Sequence, residues 1–213
     1  MYGWFQNLFK SKSPLASQFG KEAKVTDVTS SPSQTVSLSG ATSCHQHQSL
    51  LNSAIRWTRL YDVFVCHSSE LTDTEEAECL VSFLEAPPHN LRCFLSHRDS
   101  CPGAAIPSEL CQAVQNSHIK VLLITKHFLK DEWCTYVMHQ ALADGPMSNR
   151  LIPLVRNLLH SEIPPELKVY SYSDLSRNTD RCYALVNRTV LQYLKDMVQN
   201  EKVIDFNSKS SVP

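Results

Sequence analysis

A chain of 213 residues with a hydrophobic content of 42% suits one domain of ordinary size, with a full core and additional segments. Its net charge of −1 supplies no overall field of the kind that draws a protein to nucleic acid, so no nucleic-acid partner is expected. The charge is uneven, because residues 1–55 carry Lys10, Lys12, Lys21 and Lys24 against Glu22 and Asp27, while residues 56–200 are mildly acidic.

The apolar stretch after Met1 stops at Lys10, which argues against a secretory leader. No run approaches the roughly 18 apolar residues of a membrane-spanning helix. The eight cysteines form no CxxC pair, and Cys66, Cys93 and Cys111 sit in apolar runs where a free thiol behaves as a small hydrophobe. Free thiols in a reducing cytosol are the expectation. In that compartment the sequon Asn187-Arg188-Thr189 goes unused.

In chain order, residues 25–49 hold seven Ser and four Thr with a single charge, Asp27, and read as a disordered linker. Folding is expected from Trp57. Tyr61–Cys66 reads as a strand. Thr72-Asp73-Thr74-Glu75 has the form of a capping box. Ala77, Leu80, Val81 and Leu84 then form one helical face, ended by Pro87-Pro88. Leu91–Leu95 reads as a second strand, and Ser96–Ile106 as a loop holding Pro102-Gly103. Pro107 suits a helix first turn, with Leu110, Ala113 and Val114 as the buried stripe. Ile119–Ile124 is a strongly apolar, central strand. Phe128, Trp133, Val137, Met138, Ala141 and Leu142 suggest a helix closed by Gly145-Pro146. Leu151–Val155 is a fourth strand placed near an edge by Pro153, and Leu167–Tyr172 a fifth. Val186, Val190, Leu194 and Met197 stripe a last helix.

This alternation implies an α/β fold, a flavodoxin-like five-stranded parallel sheet of order 2-1-3-4-5 with helices on both faces. In such folds the working surface lies beyond the carboxyl ends of the strands, where Ser68–Leu71 and Ser96–Ile106 fall.

Three stretches carry a resemblance. Tyr61-Asp62-Val63-Phe64-Val65-Cys66-His67-Ser68 is similar to the first signature box of Toll/interleukin-1 receptor (TIR) domains. Arg98-Asp99-Ser100-Cys101-Pro102-Gly103 is similar to the second box. Phe128-Leu129 with Trp133-Cys134 is similar to the segment after the third strand. The matching spans roughly residues 60–196. Leu91–Leu95, Ser108–Ala113, Val121–Thr125 and Pro164-Pro165-Glu166-Leu167 are similar to a bridging adaptor of that family. The third box, a Phe-Trp pair, is missing, and Cys182-Tyr183 stands near its place.

The resemblance implies a cytosolic adaptor of innate immunity, with no catalytic residues, cofactor or metal. It would bridge Toll-like receptor TIR domains to a myeloid differentiation TIR adaptor bearing a death domain, and would self-associate. The family uses the second-box loop for TIR–TIR contact, so Arg98, Asp99, Ser100, Cys101, Pro102 and Gly103 are the candidate docking loop. Pro102 fixes φ near −65° and Gly103 admits positive φ, which gives the tip a defined shape. Arg98 and Asp99 admit two roles, partner contact or fastening of the loop by hydrogen bonds. Ser68, Ser69, Trp133 and Cys134 form a secondary surface, with Trp133 and Cys134 expected to support it from beneath. Family members that cleave NAD carry a glutamate four residues after the tryptophan. Val137 stands there and has no proton to exchange, and Glu132 points about 140° away around a helix.

Cys66-His67 are strand neighbours facing opposite sides, which disfavours a catalytic pair. Cys44, His45 and His47 lack a fourth ligand at a usual spacing. Trp4, Phe5, Leu8 and Phe9 share one face of a short helix beside Lys10, Lys12, Lys21 and Lys24, the composition of an arm that lies on an acidic phosphoinositide membrane. Peripheral association with the plasma membrane or endosomes follows. Pro164 and Glu166 approximate a peptide read by a TRAF-type ubiquitin ligase, with Val169 where the motif wants an aromatic or acidic residue. The expected organisation is a membrane arm (1–24), a linker (25–56), a TIR domain (57–198) and a flexible tail (199–213). The alternatives are a TIR NAD hydrolase and an inhibitory TIR decoy.

Overall fold

The structure is a computed structural model that describes residues 49–143 and 150–209. Five parallel strands, β1 (Tyr61–Cys66), β2 (Cys93–Leu95), β3 (Ser117–Ile124), β4 (Leu151–Val155) and β5 (Ser173–Asp174), lie in the order 2-1-3-4-5, as expected. Among the described residues, the α-helices longer than one turn are α1 (Leu71–Glu85), α2 (Ile106–Gln115), α3 (Glu132–Ala143) and α4 (Thr179–Lys209).

The strands read as unbroken apolar runs because both faces of the sheet are covered. Side chains alternate between faces with period two. Val63 and Val65 join Ile119, Val121, Leu123 and the stripes of α1 and α4 in one core. Phe64 and Cys66 join Leu122, Ile124 and the stripes of α2 and α3 in the other. Ala77, Leu80, Val81 and Leu84 of α1, and Val186, Val190 and Leu194 of α4, are all buried, as their helical spacing predicts.

Several boundaries differ from the expectation. The second strand begins at Cys93 rather than Leu91, because the Arg92 amide donates to the Asp62 carboxylate and is lost to the ladder. Ser96–Asp99 forms one helical turn instead of loop. The capping box on Thr72 is not formed, since α1 starts earlier, with Glu70 at its N-cap. Asp73 turns inward instead and accepts hydrogen bonds from Ser68 Oγ (2.6 Å) and Thr125 Oγ1 (2.5 Å). The helix expected from Phe128 is a 3₁₀ turn (Phe128–Lys130) followed by α3, for which Asp131 serves as the cap. Gly145-Pro146, the expected stop, lies outside the described residues.

Leu167–Tyr172 is not a strand: Pro165–Leu167 is a 3₁₀ turn and β5 is the two-residue pair that follows. Pro153 falls in the second strand from the edge. Arg150 and Arg156 bond across to β3, so by alternation Pro153 turns its missing donor to the other side, where β5 reaches no further than Leu154. An absent N–H there leaves one fewer unpaired donor on an open sheet margin. At the ends, Leu51 and Arg56 are buried although they fall in the expected linker, and α4 runs to Lys209, past the expected end at 198.

His118 of β3 is 1% exposed. Its Nε2 donates to the Arg56 carbonyl at 2.8 Å, and its Nδ1 has no hydrogen-bond partner among the described residues. Burial above all, with Arg59 and Arg92 adding, holds its pKa below the ordinary value despite the Arg56 carbonyl and Asp62. The unfolded chain therefore takes up this proton at a higher pH than the folded one, and stability falls as pH drops from about 6.5 through the folded value. The melting temperature is expected to decline between about pH 7 and about pH 5, and less steeply in His118→Gln. Parallel declines in the two proteins would assign the effect to other groups.

Candidate partner-docking site

The loop after β2 is built on a fastened root and a free tip. At the root, Arg98 donates from two nitrogens to the two oxygens of Glu85 on α1, both at 2.9 Å. It also donates to the Cys93 carbonyl at 2.9 Å and to Asp99 Oδ1 at 2.8 Å. Asp99 Oδ2 in turn accepts the Leu95 amide at 2.8 Å. A bidentate guanidinium–carboxylate pair fixes orientation as well as distance. These bonds show Arg98 and Asp99 fastening the loop, one of the two roles the sequence left open for them. Glu109 at the start of α2 holds the other side by accepting the Cys101 amide at 2.8 Å.

Beyond this root, Cys101-Pro102-Gly103-Ala104 is a β-turn closed by Ala104 N–H donating to the Cys101 carbonyl at 3.1 Å. Pro102 occupies the second position, and Gly103, at φ +88°, the third. That is the type II pattern, in which the third residue needs a positive φ. An added Cβ on Gly103 would meet nothing within 4 Å, so the glycine answers a backbone demand and not crowding. Cys101 through Ile106 are all exposed, and Ser100 is half-buried. The projection is thus rigid at its base, shaped at its tip and open to solvent.

Beside it a cleft of about 350 Å³ opens between the carboxyl ends of the strands and the first turns of α2 and α3, lined in part by Cys66, His67, Ile106, Trp133 and Val137. Trp133 is 45% exposed and meets Tyr136 edge-on at 6.2 Å. This corrects the expectation of a tryptophan supporting the surface from beneath, since its ring is part of that surface. Cys134 does lie beneath, buried, with its thiol donating to the His67 carbonyl at 3.2 Å. A hydrogen bond with Cys66, and burial after it, push its pKa up, so it stays a neutral thiol. Ser68, expected in the secondary surface, is buried and engaged with Asp73, whereas Ser69 is exposed. Val137 is 1% exposed and offers the cleft hydrocarbon alone, while Glu132 faces solvent outside its lining.

Elsewhere, Glu166 is exposed and Pro164 half-buried in the 3₁₀ turn, whose Leu167 is anchored in the core. Trp4, Phe5, Leu8, Phe9, Lys10, Lys12, Lys21, Lys24 and the Cys44–His47 cluster lie outside the described residues. Among the described residues no group of three or more metal-ligating side chains converges, and no helix is long and apolar enough to cross a membrane. Cys182 and Tyr183, near the place of the missing third box, are buried, and Tyr183 donates to Glu76 of α1 at 2.6 Å.

The sequence reading missed Glu85, Glu109 and the buried Asp62. Glu85 is found by asking which carboxylate ends the helix before the Arg-Asp pair. Asp62 is signalled by a charge inside an apolar strand.

A fastened, proline-shaped loop at the carboxyl edge of a 2-1-3-4-5 parallel sheet is the architecture of a TIR domain. Residues 63–188 match the family model described as TIR domain, and the chain belongs to that family. It is 48% identical over 143 residues to the human Toll/interleukin-1 receptor domain-containing adapter protein, covering 67% of this chain and 63% of that protein. It is 29% identical over 127 residues to Toll-like receptor 4 of Rattus norvegicus, covering 58% of this chain and 15% of the receptor. The chain therefore spans less than two thirds of these relatives' own lengths. Among solved structures, the TIR domain of a Toll-related receptor from Hydra magnipapillata shares the fold, with a TM-score of 0.52 at 23% identity over 61% of this chain and 98% of that one.

Proposed function

We propose that this chain is a signalling adaptor that bridges Toll-like receptor TIR domains to a second TIR adaptor by domain–domain docking. The observation that carries this reading is the exposed Cys101–Ala104 turn on its pinned root, in a chain 48% identical to a protein named as an adapter. The tip meets one partner, and the exposed Ile106, Trp133 and Tyr136 beside the cleft present an apolar, aromatic face to another. Unlike faces docked head to tail do not close on themselves, so they extend into open assemblies. Contacts weak in isolation become strong when several copies are gathered on one surface. The amino-terminal arm supplies that surface in this reading, with Trp4, Phe5, Leu8 and Phe9 entering an acidic phosphoinositide leaflet and four lysines adding at most about 1 kcal/mol each. Docking is favoured over NAD cleavage because Val137 stands where NAD-cleaving relatives carry a glutamate, and Asp131, the carboxylate that lines the cleft, is engaged by the Trp133 and Cys134 amides. Contact with a TRAF-type ligase through Pro164 and Glu166 would require the turn around Leu167 to open.

A reporter assay in cells bearing a Toll-like receptor tests the reading. The full chain is expected to raise the signal. Replacing Lys10, Lys12, Lys21 and Lys24 by glutamine is expected to release it from acidic vesicles and lower that signal. A chain that suppresses receptor output would be the decoy instead, and vesicle binding untouched by the four substitutions would remove the electrostatic arm.

A further inference from the structure

The root of the loop carries a second fastening whose chemistry differs from that of Arg98. His67, at the end of β1, places Nδ1 2.7 Å from the Ser68 carbonyl and Nε2 3.3 Å from Nδ1 of His97. His97 lies in the helical turn that leads into the loop, and its own Nε2 sits 2.9 Å from Glu78 Oε1 on α1. The two rings meet edge to face at 5.2 Å.

The protons in this chain of contacts can be counted. A nitrogen facing a carbonyl must donate, so His67 carries its proton on Nδ1. Its Nε2 then offers a lone pair, which His97 must meet with a proton on Nδ1. The Glu78 carboxylate accepts only, so His97 must also carry a proton on Nε2. All three contacts are therefore satisfied by three protons on two rings, with His67 neutral and His97 an imidazolium paired with Glu78. A fourth proton sets two N–H groups against each other across the 3.3 Å gap. With only two protons, either the carboxylate or the His67 lone pair faces a second lone pair.

We propose that His67, His97 and Glu78 form a proton-counting clasp that holds the docking loop to β1 and α1 when the two rings share three protons and opens when a fourth enters. The charged neighbours of His67 act in both directions, since His97 opposes a second proton on its ring and Asp73 and Glu78 favour one. Asp73 and Glu78 of α1 face His67, with His97 opposite and the neutral thiol of Cys134 against its backbone. Asp131 lines the same cleft from the start of α3. Next to His97, Arg98 is already committed to Glu85 and Asp99. Burial first, and the charge of His97 after it, keep His67 below its ordinary pKa against the Ser68 carbonyl and the acidic neighbours. The fourth proton therefore enters only in acid. Control of docking by the clasp rests on the reading that the loop meets partners, whereas the proton arrangement does not.

Nitrogen–proton correlation spectra of the full chain at about pH 7 test the arrangement directly. His67 is expected as the neutral form protonated on Nδ1, the less common tautomer of a free ring, with its Nε2 accepting from His97. His67 protonated on Nε2 overturns the clasp. Self-association of the full chain between about pH 7 and about pH 5.5 should weaken by about fivefold, the lower end of ordinary coupling between sites. His97→Gln, an exposed position that leaves His118 and the core intact, should lose most of that dependence. An equal pH response in both proteins overturns the regulatory role while leaving docking in place. Association unaffected by Pro102→His would remove the docking reading instead.

Discussion

Replacing Asp62 by alanine is expected to destabilise the folded domain by about 3–5 kcal/mol, the range for removing one partner from a buried ion pair. Asp62 is fully buried on β1 and accepts five hydrogen bonds. Arg56 gives two, from Nε at 2.9 Å and Nη2 at 2.5 Å. Arg92 gives its amide at 2.8 Å and two guanidinium donors. Arg56 goes on to donate to the carbonyls of Leu51 and Asn90, and its own carbonyl accepts from Arg92 and His118. One carboxylate thus ties the segment before β1, the connection into β2 and the start of β3. Without it two guanidinium groups remain, one almost wholly buried, with no anion to face.

Thermal unfolding of Asp62→Ala should fall by about 6–20 °C, at about 2–4 °C per kcal/mol for a domain of this size. A loss under about 1 kcal/mol would show the network to be incidental. Burial alone would raise the Asp62 pKa, but the hydrogen bonds from Arg56 and Arg92 prevail and hold it below the ordinary value. The folded state therefore keeps this carboxylate ionised to lower pH than the unfolded chain. Its contribution is complete above about pH 4 and is lost as pH falls through the folded value, a window distinct from that of His118.

Pro102→His is the substitution with the largest expected effect on function. Proline sets φ at the second position of the type II turn, and its contribution to stability acts chiefly by restricting the unfolded chain, at about 0.4–1 kcal/mol. The side chain is exposed and bonds to nothing in the domain, so melting should shift by no more than about 4 °C. Binding is another matter. A turn that must be ordered on contact forfeits the advantage of preorganisation, and an imidazole at the tip alters its shape. A loss of about tenfold or more in affinity for a partner TIR domain is expected, equivalent to about 1.4 kcal/mol.

Much of this architecture is legible in the amino acids because it rests on short-range rules. Continuous apolar runs placed β1, β3 and β4, a 3.6-residue period placed the stripes of α1 and α4, and the alternation of strands with helices implied the sheet order. Pro107 and Gly103 announced a helix start and a positive φ through chemistry confined to one residue. The failures share a cause. The Thr72 box competed with longer-range partners, since Asp73 found Ser68 and Thr125, the latter 52 positions away. The fifth strand was read into Leu167–Tyr172 because an apolar anchor resembles a strand residue when its turn is not known. Trp133 is expected beneath the surface with Cys134, but its place on the first turn of α3 sets it beside Tyr136 and open to solvent. Arg98 could not be assigned without Glu85, and the His67–His97–Glu78 chain joins three elements that no local pattern links.

The most direct test is a binding isotherm of the full chain against an immobilised Toll-like receptor TIR domain, run beside Pro102→His with melting curves on the same samples. Saturable binding by the unaltered chain, weakened by about tenfold in the variant at a nearly unchanged melting temperature, is the predicted result. Superimposable isotherms for two equally folded proteins would contradict the assignment of the Cys101–Ala104 turn as the handle by which this domain meets others of its kind.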